Sequence, residues 1–415
     1  MEVEPHASSG HSPTVRLLFA TRMVRLFGYG LLSVVLVLHL SAAGLTDSEI
    51  GLLLTLTLLG DGVISLFITT RADRLGRRRM LLVSAVLMIL AGVFFAGASS
   101  FALLLLAATI GVISPSGNEV GPFLAVEQAS LSQAIPPDRR TAVFAWYNLV
   151  GSFATAFGSL CGGALAQVLQ GHGVKALTSY RTLAALYAVV GGVLFVLFAR
   201  LPRAAEALPQ SVPSSGLNLH FGMRTSRNKV FKLAGLFSVD AFAGGFVVQA
   251  FVAYWFQQRF AVSPSVLGGI FFAANILAGL SALSASYLAK RIGLLATMVA
   301  THLPSNVLLF LVPLMPNLWL AIAVLLLRFS ISQMDVPTRQ AYTMAMVPPG
   351  ERSAAAGVTG IARTLGAALS PIVAGPLYAS ATLASVPFFV GGGLKVIYDL
   401  LVWRSFKKVK IDQRT

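Results

Sequence analysis

The stretch Ala72-Asp73-Arg74-Leu75-Gly76-Arg77-Arg78-Arg79 lies between two long apolar segments. A weaker copy, Ala289-Lys290-Arg291-Ile292-Gly293-Leu294, lies between two later apolar segments. A second pair of related stretches, 127–142 and 339–354, has nearly the same spacing. Because both pairs keep their order and distance, the chain is predicted to consist of two related halves.

The composition places the chain in a membrane. Its 415 residues are 56% hydrophobic and 11% charged, with a mean hydropathy of +0.79, which is more apolar surface than one globular core hides. A helix needs about 20 apolar residues to cross a bilayer. The apolar runs therefore predict an all-α membrane protein with twelve transmembrane helices in two pseudo-symmetric six-helix bundles. The predicted spans are 15–41, 48–70, 79–98, 101–134, 141–170, 180–200, 230–257, 264–289, 293–313, 317–346, 353–378 and 383–403.

One substantial polar stretch, 201–229, contains three prolines and divides six spans from six. We expect an N-terminal bundle over 1–200, a cytoplasmic linker over 201–229 and a C-terminal bundle over 230–415. The single cysteine, Cys161, has no partner for an intrachain disulfide.

The formal net charge of +16 is distributed unevenly across the predicted topology. Most Lys and Arg fall on one side, in the loops around 71–79, 139–140 and 290–291 and in the C-terminal tail. By the positive-inside rule both termini and the linker are cytoplasmic, in a multi-pass protein of the cell membrane that we expect to be a prokaryotic inner membrane. The basic charge thus predicts topology rather than nucleic-acid binding.

The loop Asp73-Arg74-Leu75-Gly76-Arg77-Arg78 resembles the signature loop of the major facilitator superfamily. The resemblance implies a twelve-helix transporter in which Asp73 is the acid of a conformational latch, Arg74, Arg77 and Arg78 are its basic partners, and Gly76 permits the tight turn. Thr69 stands where the family pattern has a glycine. The alternative is a basic loop that sets topology and has no switching role.

Small residues in two spans resemble a pattern of the family's antiporters. Gly158-Ser159-Leu160-Cys161-Gly162-Gly163 has Ser where that pattern has Pro, and its repeat mate 370–375 keeps the proline as Pro371. Gly158, Gly162, Gly163, Pro371 and Gly375 are expected to allow close helix packing across the interface between the halves. This favours export, although generic membrane packing explains the pattern nearly as well.

Ionisable residues lie within the predicted spans, where a charge costs at least ~2.5 to 3.5 kcal/mol. Such groups normally face one another or a cavity, so they mark the predicted pathway. They are Asp61, Glu119, Glu127, Asp240, Asp335, Asp399, Arg22, Arg25, Arg328, Arg339, Arg363 and Lys395.

The polar stretch 115–122 interrupts the fourth predicted span near the membrane midplane. Interrupted helices at that depth indicate a transporter binding site, although a kink holding a structural ion pair is the alternative. Proton-coupling candidates are Glu119, Asp61 and Asp240, in that order. Substrate-binding candidates are Arg25, Asn118, Glu119, Asp240, Arg328 and Asp335. The arginines suit an anionic group, or equally serve as counter-ions.

Glu127 and Arg339 are repeat equivalents with opposite charge, and we predict that they form a gate that pairs when the cytoplasmic side closes. An intrahelical pair between Asp335 and Arg339, four residues apart, competes with this gate. Lys395 and Asp399 share that spacing and are expected to pair structurally.

The leading hypothesis is a proton-coupled transporter that exports a small organic solute by alternating access. The alternatives are symport or uniport uptake of an anionic solute, and a membrane scaffold or sensor that does not transport. The sequence has no phosphate-binding loop, metal-ligand spacing or nucleophile–base arrangement, so no enzyme and no cofactor are expected. Expected partners are the solute, protons and the lipid bilayer, with a monomeric chain.

Overall fold

The computed structural model describes residues 13–118, 121–136, 139–202, 206, 226–348, 351–380 and 382–408, without the side chains of Asp73, Arg74, Thr141 and Ser353. Regular structure in these ranges is helical, which confirms the predicted class. The helices are α1 (Pro13–Ser33), α2 (Leu36–Ala42), α3 (Asp47–Leu75), α4 (Arg77–Gly97), α5 (Phe101–Ile110), α6 (Phe123–Ala134), α7 (Arg140–Gly171), α8 (Ala176–Ala199), α9 (Arg227–Gly245), α10 (Gln249–Phe260), α11 (Pro264–Ile292), α12 (Leu294–Leu311), α13 (Leu318–Ser332), α14 (Asp335–Ala345), α15 (Arg352–Tyr378) and α16 (Val386–Phe406).

The described residues contain ten helical segments that are long and apolar enough to cross a membrane. The pair α1 and α2, bent by 43°, makes an eleventh if it counts as one span. The interruption predicted within the fourth span, 101–134, is present: α5 has 10 residues, α6 has 12, and a non-helical stretch separates them. The predicted count of twelve transmembrane helices is not exactly confirmed.

Four predicted spans are broken: the first (α1/α2) toward its end, and the fourth (α5/α6), the seventh (α9/α10) and the tenth (α13/α14) near their middle. These are the first and fourth spans of each half, so the breaks follow the sequence repeat. In the fourth span the cause is local. Pro115 and Pro122 lack a backbone N–H, and Gly117 and Gly121 have φ of +69° and +80°, a region that favours glycine.

Two equivalent pairs of helices join the halves: α7 packs on α11, and α3 packs on α15. Glycines allow the close approach. A Cβ on Gly163 would lie 2.2 Å from the carbonyl oxygen of Pro264, and one on Gly51 would lie 2.4 Å from that of Pro371. We call the end of the bundle with Arg77, Arg140 and Arg291 the basic end, and the opposite end the far end. Both glycine contacts lie toward the far end.

Candidate ionisable site in the middle of the bundle

In the first half, Arg25 of α1 forms a bidentate ion pair with Glu127 of α6. The two Nη–Oε distances are each 2.7 Å, and both side chains are 0% exposed. Thr21 donates a hydrogen bond to the same carboxylate at 2.7 Å, and the Tyr147 hydroxyl donates another. Because burying two charges is favourable only when the remaining polar atoms are bonded, these extra donors hold the pair in one geometry.

In the second half, three cations surround the carboxylate of Asp240 on α9. Lys395 Nζ lies 2.5 Å from Oδ1, while Arg339 Nη1 and Arg363 Nη1 lie 3.0 and 3.2 Å from Oδ2. Arg339 also bonds Asp335 at 2.9 Å, so the intrahelical pair considered from the spacing is present. The cluster joins the seventh, tenth, eleventh and twelfth predicted spans.

The sequence did not identify His302 of α12 as part of this cluster. Its Nδ1 lies 2.8 Å from Oδ1 of Asp399, and its Nε2 lies 3.6 Å from Oδ1 of Asp240. Asn306, one turn along α12, donates a hydrogen bond to Asp399 at 3.0 Å. His302 and Asn306 are four residues apart in an apolar span and therefore lie on one side of the helix. This spacing is the feature of the sequence that indicates a polar face on α12.

The expected pairing of Lys395 with Asp399 is wrong. Both residues lie on one face of α16, as their spacing predicts, but the Lys395 amine bonds Asp240 and the Asp399 carboxylate bonds His302 and Asn306. Neighbouring helices thus provide buried partners that the sequence of α16 alone does not reveal.

Both halves share one arrangement with reversed polarity. The first and fourth spans of each half are joined by a buried carboxylate–guanidinium pair: Arg25 with Glu127, and Asp240 with Arg339. The structure does not bring Glu127 and Arg339 together, because each is bound within its own half. Their proposed pairing as a gate stays a prediction for another state.

The break in the fourth span is held by polar contacts. Thr155 donates to the carbonyl of Gly117 at 3.2 Å, the Tyr187 hydroxyl donates to that of Val112, and the backbone N–H of Ala250 donates to that of Pro115 at 3.0 Å. Non-helical backbone at membrane depth needs such partners, because lipid provides none. The last of these bonds links the two halves.

Two of the remaining described candidates of the first half, Asn118 and Asp61, lie at this break. Asn118 is exposed, and Glu119 lies outside the described residues. Asp61 of α3 is partly buried, and its Oδ1 would be 3.5 Å from a Cβ on Gly121. The structure thus places Asp61 beside the interruption that the sequence had singled out.

Arg328 of α13 differs from the paired arginines. Its Nε is buried without a hydrogen-bond partner among the described residues, and its guanidinium lies 5.1 Å from the centre of the Phe329 ring. It interacts electrostatically with Asp335 and Asp240. It is therefore near the Asp240 cluster without a direct bond to its carboxylates.

In the latch loop, Gly76 has φ of +100° and makes the turn between α3 and α4. Arg77 donates to Gln133 at 3.0 Å, and Arg78 donates to the carbonyl of Ala199. The side chains of Asp73 and Arg74 lie outside the described residues. An acid that the sequence did not suggest, Glu206, accepts the backbone N–H groups of Arg77 and Arg78 at 2.6 and 3.2 Å, at the N-terminus of α4.

The predicted packing residues divide into two groups. Gly163, Pro371 and Gly375 lie at the contacts between the halves, against Gly268 for the first and Gly51 for the other two. Gly158 and Gly162 instead face α1 of their own half, where a Cβ would lie 2.0 and 2.4 Å from the carbonyl oxygens of Phe27 and Leu31.

A polar knot that the sequence did not reveal also joins the halves. The amide of Gln249, at the start of α10, donates to Ser33 at 2.8 Å and to Ser159 at 3.3 Å, and accepts a bond from Asn275 at 3.1 Å. All four residues are buried. The knot closes the centre of the bundle on the far-end side of the ionisable clusters.

Comparisons with known proteins agree with this architecture. A family model described as Major Facilitator Superfamily matches residues 18–371 and 233–412. The chain is 30% identical to the uncharacterized membrane protein YJR124C of Saccharomyces cerevisiae, over 94% of this chain and 93% of that protein. It is 28% identical to the quinolone resistance protein NorA of Staphylococcus aureus, over 34% of this chain and 35% of NorA.

A solved structure of similar fold is a bacterial homolog of the human lysosomal transporter Spinster, in an inward-facing and occupied conformation. The TM-score is 0.76 at 16% identity, and the match covers 98% of this chain and 100% of that one. At that identity the likeness supports the fold alone.

Proposed function

The chain belongs to the Major Facilitator Superfamily and is a multi-pass membrane transporter, and from that premise we propose that it exports a small organic solute in exchange for protons by alternating access. The observation that carries the proposal is the pair of carboxylates at membrane depth, Asp240 and Asp61. Each lies on or beside an interrupted span. In secondary transporters, coupling ions and solutes bind at such interruptions.

The contacts between the halves support a state closed toward the far end. The glycine contacts at Gly163 and Gly51 and the Gln249 knot all lie between mid-depth and that end. We infer that the central space opens at the basic end, which the positive-inside rule makes cytoplasmic, together with both termini, in the cell membrane. Rocking of the two halves about the central site would then open the far end.

Proton coupling is proposed for Asp240 on electrostatic grounds. Its carboxylate bonds cations from three other helices, and its side chain is 4% exposed. A proton on Asp240 would leave those cations facing one another in a medium where charge repulsion is strong, so protonation requires them to move. Binding of a proton to Asp240 would therefore change the contacts between the helices that carry these cations. Asp61 and Glu119 are proposed as the coupling groups of the first half.

Export is favoured over uptake by two observations. The partial likeness to a quinolone resistance protein and the antiporter-like glycines of α7 both point that way. Symport or uniport uptake of an anionic solute is the second candidate, supported by the arginines near the site. A scaffold that does not transport is disfavoured by the cost of keeping so many charges at membrane depth. We further propose that the chain works as a monomer.

The test uses purified protein in liposomes that contain a pH-sensitive dye. Addition of solutes from a broad panel should drive proton movement only for transported solutes, and an imposed pH gradient should drive their accumulation. Asp240→Asn and Asp61→Asn should abolish this coupling, while Arg16→Gln, an exposed change on α1, should not. Flux independent of the gradient would indicate uniport, and no flux for any solute would indicate a scaffold.

A further inference from the structure

We propose that the transported solute carries an anionic group, a carboxylate or a phosphate, which binds in the second half at the guanidinium groups of Arg363 and Arg328. This inference rests on the proposed transport function and names the chemical class of its substrate. It is argued from charge balance, from the placement of Arg363 and from the unused bonding capacity of Arg328.

The described membrane-depth charges of the second half do not balance. Four permanent cations face three carboxylates. The corresponding groups described in the first half are two arginines and two carboxylates. An uncompensated charge at membrane depth is costly, so binding of an anion in the second half would be favourable. The residues counted are Arg328, Arg339, Arg363, Lys395, Asp240, Asp335 and Asp399 in the second half, and Arg22, Arg25, Asp61 and Glu127 in the first.

Arg363 faces the space between the halves. On α15, Gly366 packs on Ser238 of α9 and Thr364 packs on Gly62 of α3. At about 100° per residue, Arg363 and Gly360 fall between these two faces, on the side opposite the exposed Leu365 and Leu369.

Open space lies beside this face, since a Cβ on Gly360 would meet nothing within 4 Å. The Arg363 side chain is 36% exposed, against 7% for Arg339 and 4% for Asp240. Of the two guanidinium groups that hold Asp240, Arg363 is thus the one that an incoming solute reaches.

Arg25 of the first half and Arg328 of the second differ in the bonds they make. Arg25 donates a bidentate pair of hydrogen bonds to Glu127, so it already has a counter-ion. Arg328 keeps a buried Nε without a hydrogen-bond partner among the described residues, although it lies within electrostatic range of Asp240. A guanidinium group binds carboxylate or phosphate through two parallel bonds, which is the chemistry that Arg328 lacks here.

Anion binding at Arg363 has a consequence for Asp240. A solute carboxylate that bonds Arg363 competes with the Asp240 carboxylate, which is 3.2 Å away from the same Nη1. The anion and the Asp240 carboxylate would therefore share or compete for one guanidinium group.

The test measures thermal stabilisation by matched pairs of probes: benzoate with benzamide, and phenyl phosphate with phenol. A probe that binds the folded protein raises its apparent stability, and at a given concentration a tighter probe raises it more. At least one anion should raise the unfolding temperature in a dose-dependent manner, while its neutral counterpart leaves it unchanged. Arg363→Gln and Arg328→Gln should each lower the affinity for the anion by roughly tenfold to a hundredfold, which is the effect of losing a charge-assisted hydrogen bond.

Arg363→Lys keeps the charge and should weaken binding less than Arg363→Gln, which separates ligand recognition from a folding defect. Lys232→Gln, an exposed change on α9, is the control and should leave binding intact. Equal stabilisation by neutral probes, no stabilisation by either anion, or unchanged anion affinity in both arginine variants would overturn the proposal. Proton-coupled flux of a neutral solute in Arg363→Gln would overturn it while leaving the transport function standing.

Discussion

The ion pair between Arg25 and Glu127 is buried at membrane depth, and both oxygens of its carboxylate are bonded. Each oxygen of the carboxylate accepts from the guanidinium, and Thr21 and Tyr147 complete its shell. Such a pair contributes little net stability against an apolar replacement, but it fixes which faces of three helices meet. Its geometry therefore fixes the positions of these helices in this state, and the predicted pairing of Glu127 with Arg339 concerns another state.

Removing one partner of this pair is predicted to be severely destabilising. Glu127→Gln leaves the Arg25 guanidinium buried and uncompensated, which costs roughly 3 to 5 kcal/mol. The double variant Arg25→Gln with Glu127→Gln removes both charges and should recover much of the loss. Thermal unfolding followed by tryptophan fluorescence measures the stability of the single and the double variant, and Arg16→Gln is the exposed control. A Glu127→Gln protein as stable as the parent would contradict this account.

At the residue scale, the sequence indicated which ionisable residues lie in buried ion pairs better than it indicated their partners. Asp240, Arg339, Asp335 and Glu127 were identified because charges are rare and costly in apolar spans. The bonds of Lys395 and Asp399 were not, since helical periodicity defines a face of one helix and says nothing about the helix opposite. His302 was missed because Asp399 and Asp240 lie on other helices, so its spacing from Asn306 indicates a polar face of α12 but not the carboxylates beside it.

The interrupted span between α5 and α6 is the element that shapes the centre of the bundle. The prolines and glycines of 115–122 predicted an interruption, but not the loss of helix from Gly111 onward. The extent of the break depends on Tyr187, Thr155 and Ala250, whose bonds to loop carbonyls replace those of a helix. These partners are distant in sequence and become neighbours only in the folded bundle.

Alanine substitution at the two glycines of this break should disrupt it. At φ of +69° and +80° an L-residue costs about 1 to 2 kcal/mol, and a Cβ on Gly121 would lie 2.8 Å from Val112 Cγ1. Gly117→Ala and Gly121→Ala are expected to lower the unfolding temperature and to reduce proton-coupled flux.

Gly192→Ala on α8 is the matched control for these two variants, because its Cβ would meet nothing within 4 Å. It should be neutral or slightly stabilising, since alanine is the better helix former. Break variants that unfold at the same temperature as Gly192→Ala would show that the loop is not strained.

At the scale of the molecule, the sequence repeat predicted two related halves, and the structure gives them equivalent interfaces. Gly163 meets Gly268 where α7 crosses α11, and Gly375 meets Gly51 where α15 crosses α3. The glycine motif of α7 and its repeat mate indicated tight packing from the sequence. Their partners Gly51 and Gly268 do not lie in a recognisable sequence motif. The side of the membrane on which the halves close was therefore not predictable.

The closed far end depends on these glycine contacts, and a large side chain there should open it. A Cβ on Gly268 would lie 2.8 Å from the carbonyl oxygen of Ser159, whereas one on its neighbour Gly269 would meet nothing within 4 Å. Gly268→Leu should therefore separate α7 from α11, while Gly269→Leu should leave the interface intact.

The readout is labelling of Ser33→Cys, a buried position in the Gln249 knot, by a membrane-impermeant maleimide added from the far side. The exposed Cys161 is first replaced by serine. Because closure of the far end is one half of the transport cycle, Gly268→Leu should raise labelling several-fold and abolish solute accumulation, and Gly269→Leu should do neither. If Ser33→Cys stays protected in Gly268→Leu while the protein remains folded, the far end is closed by other contacts and the rocking motion must pivot elsewhere.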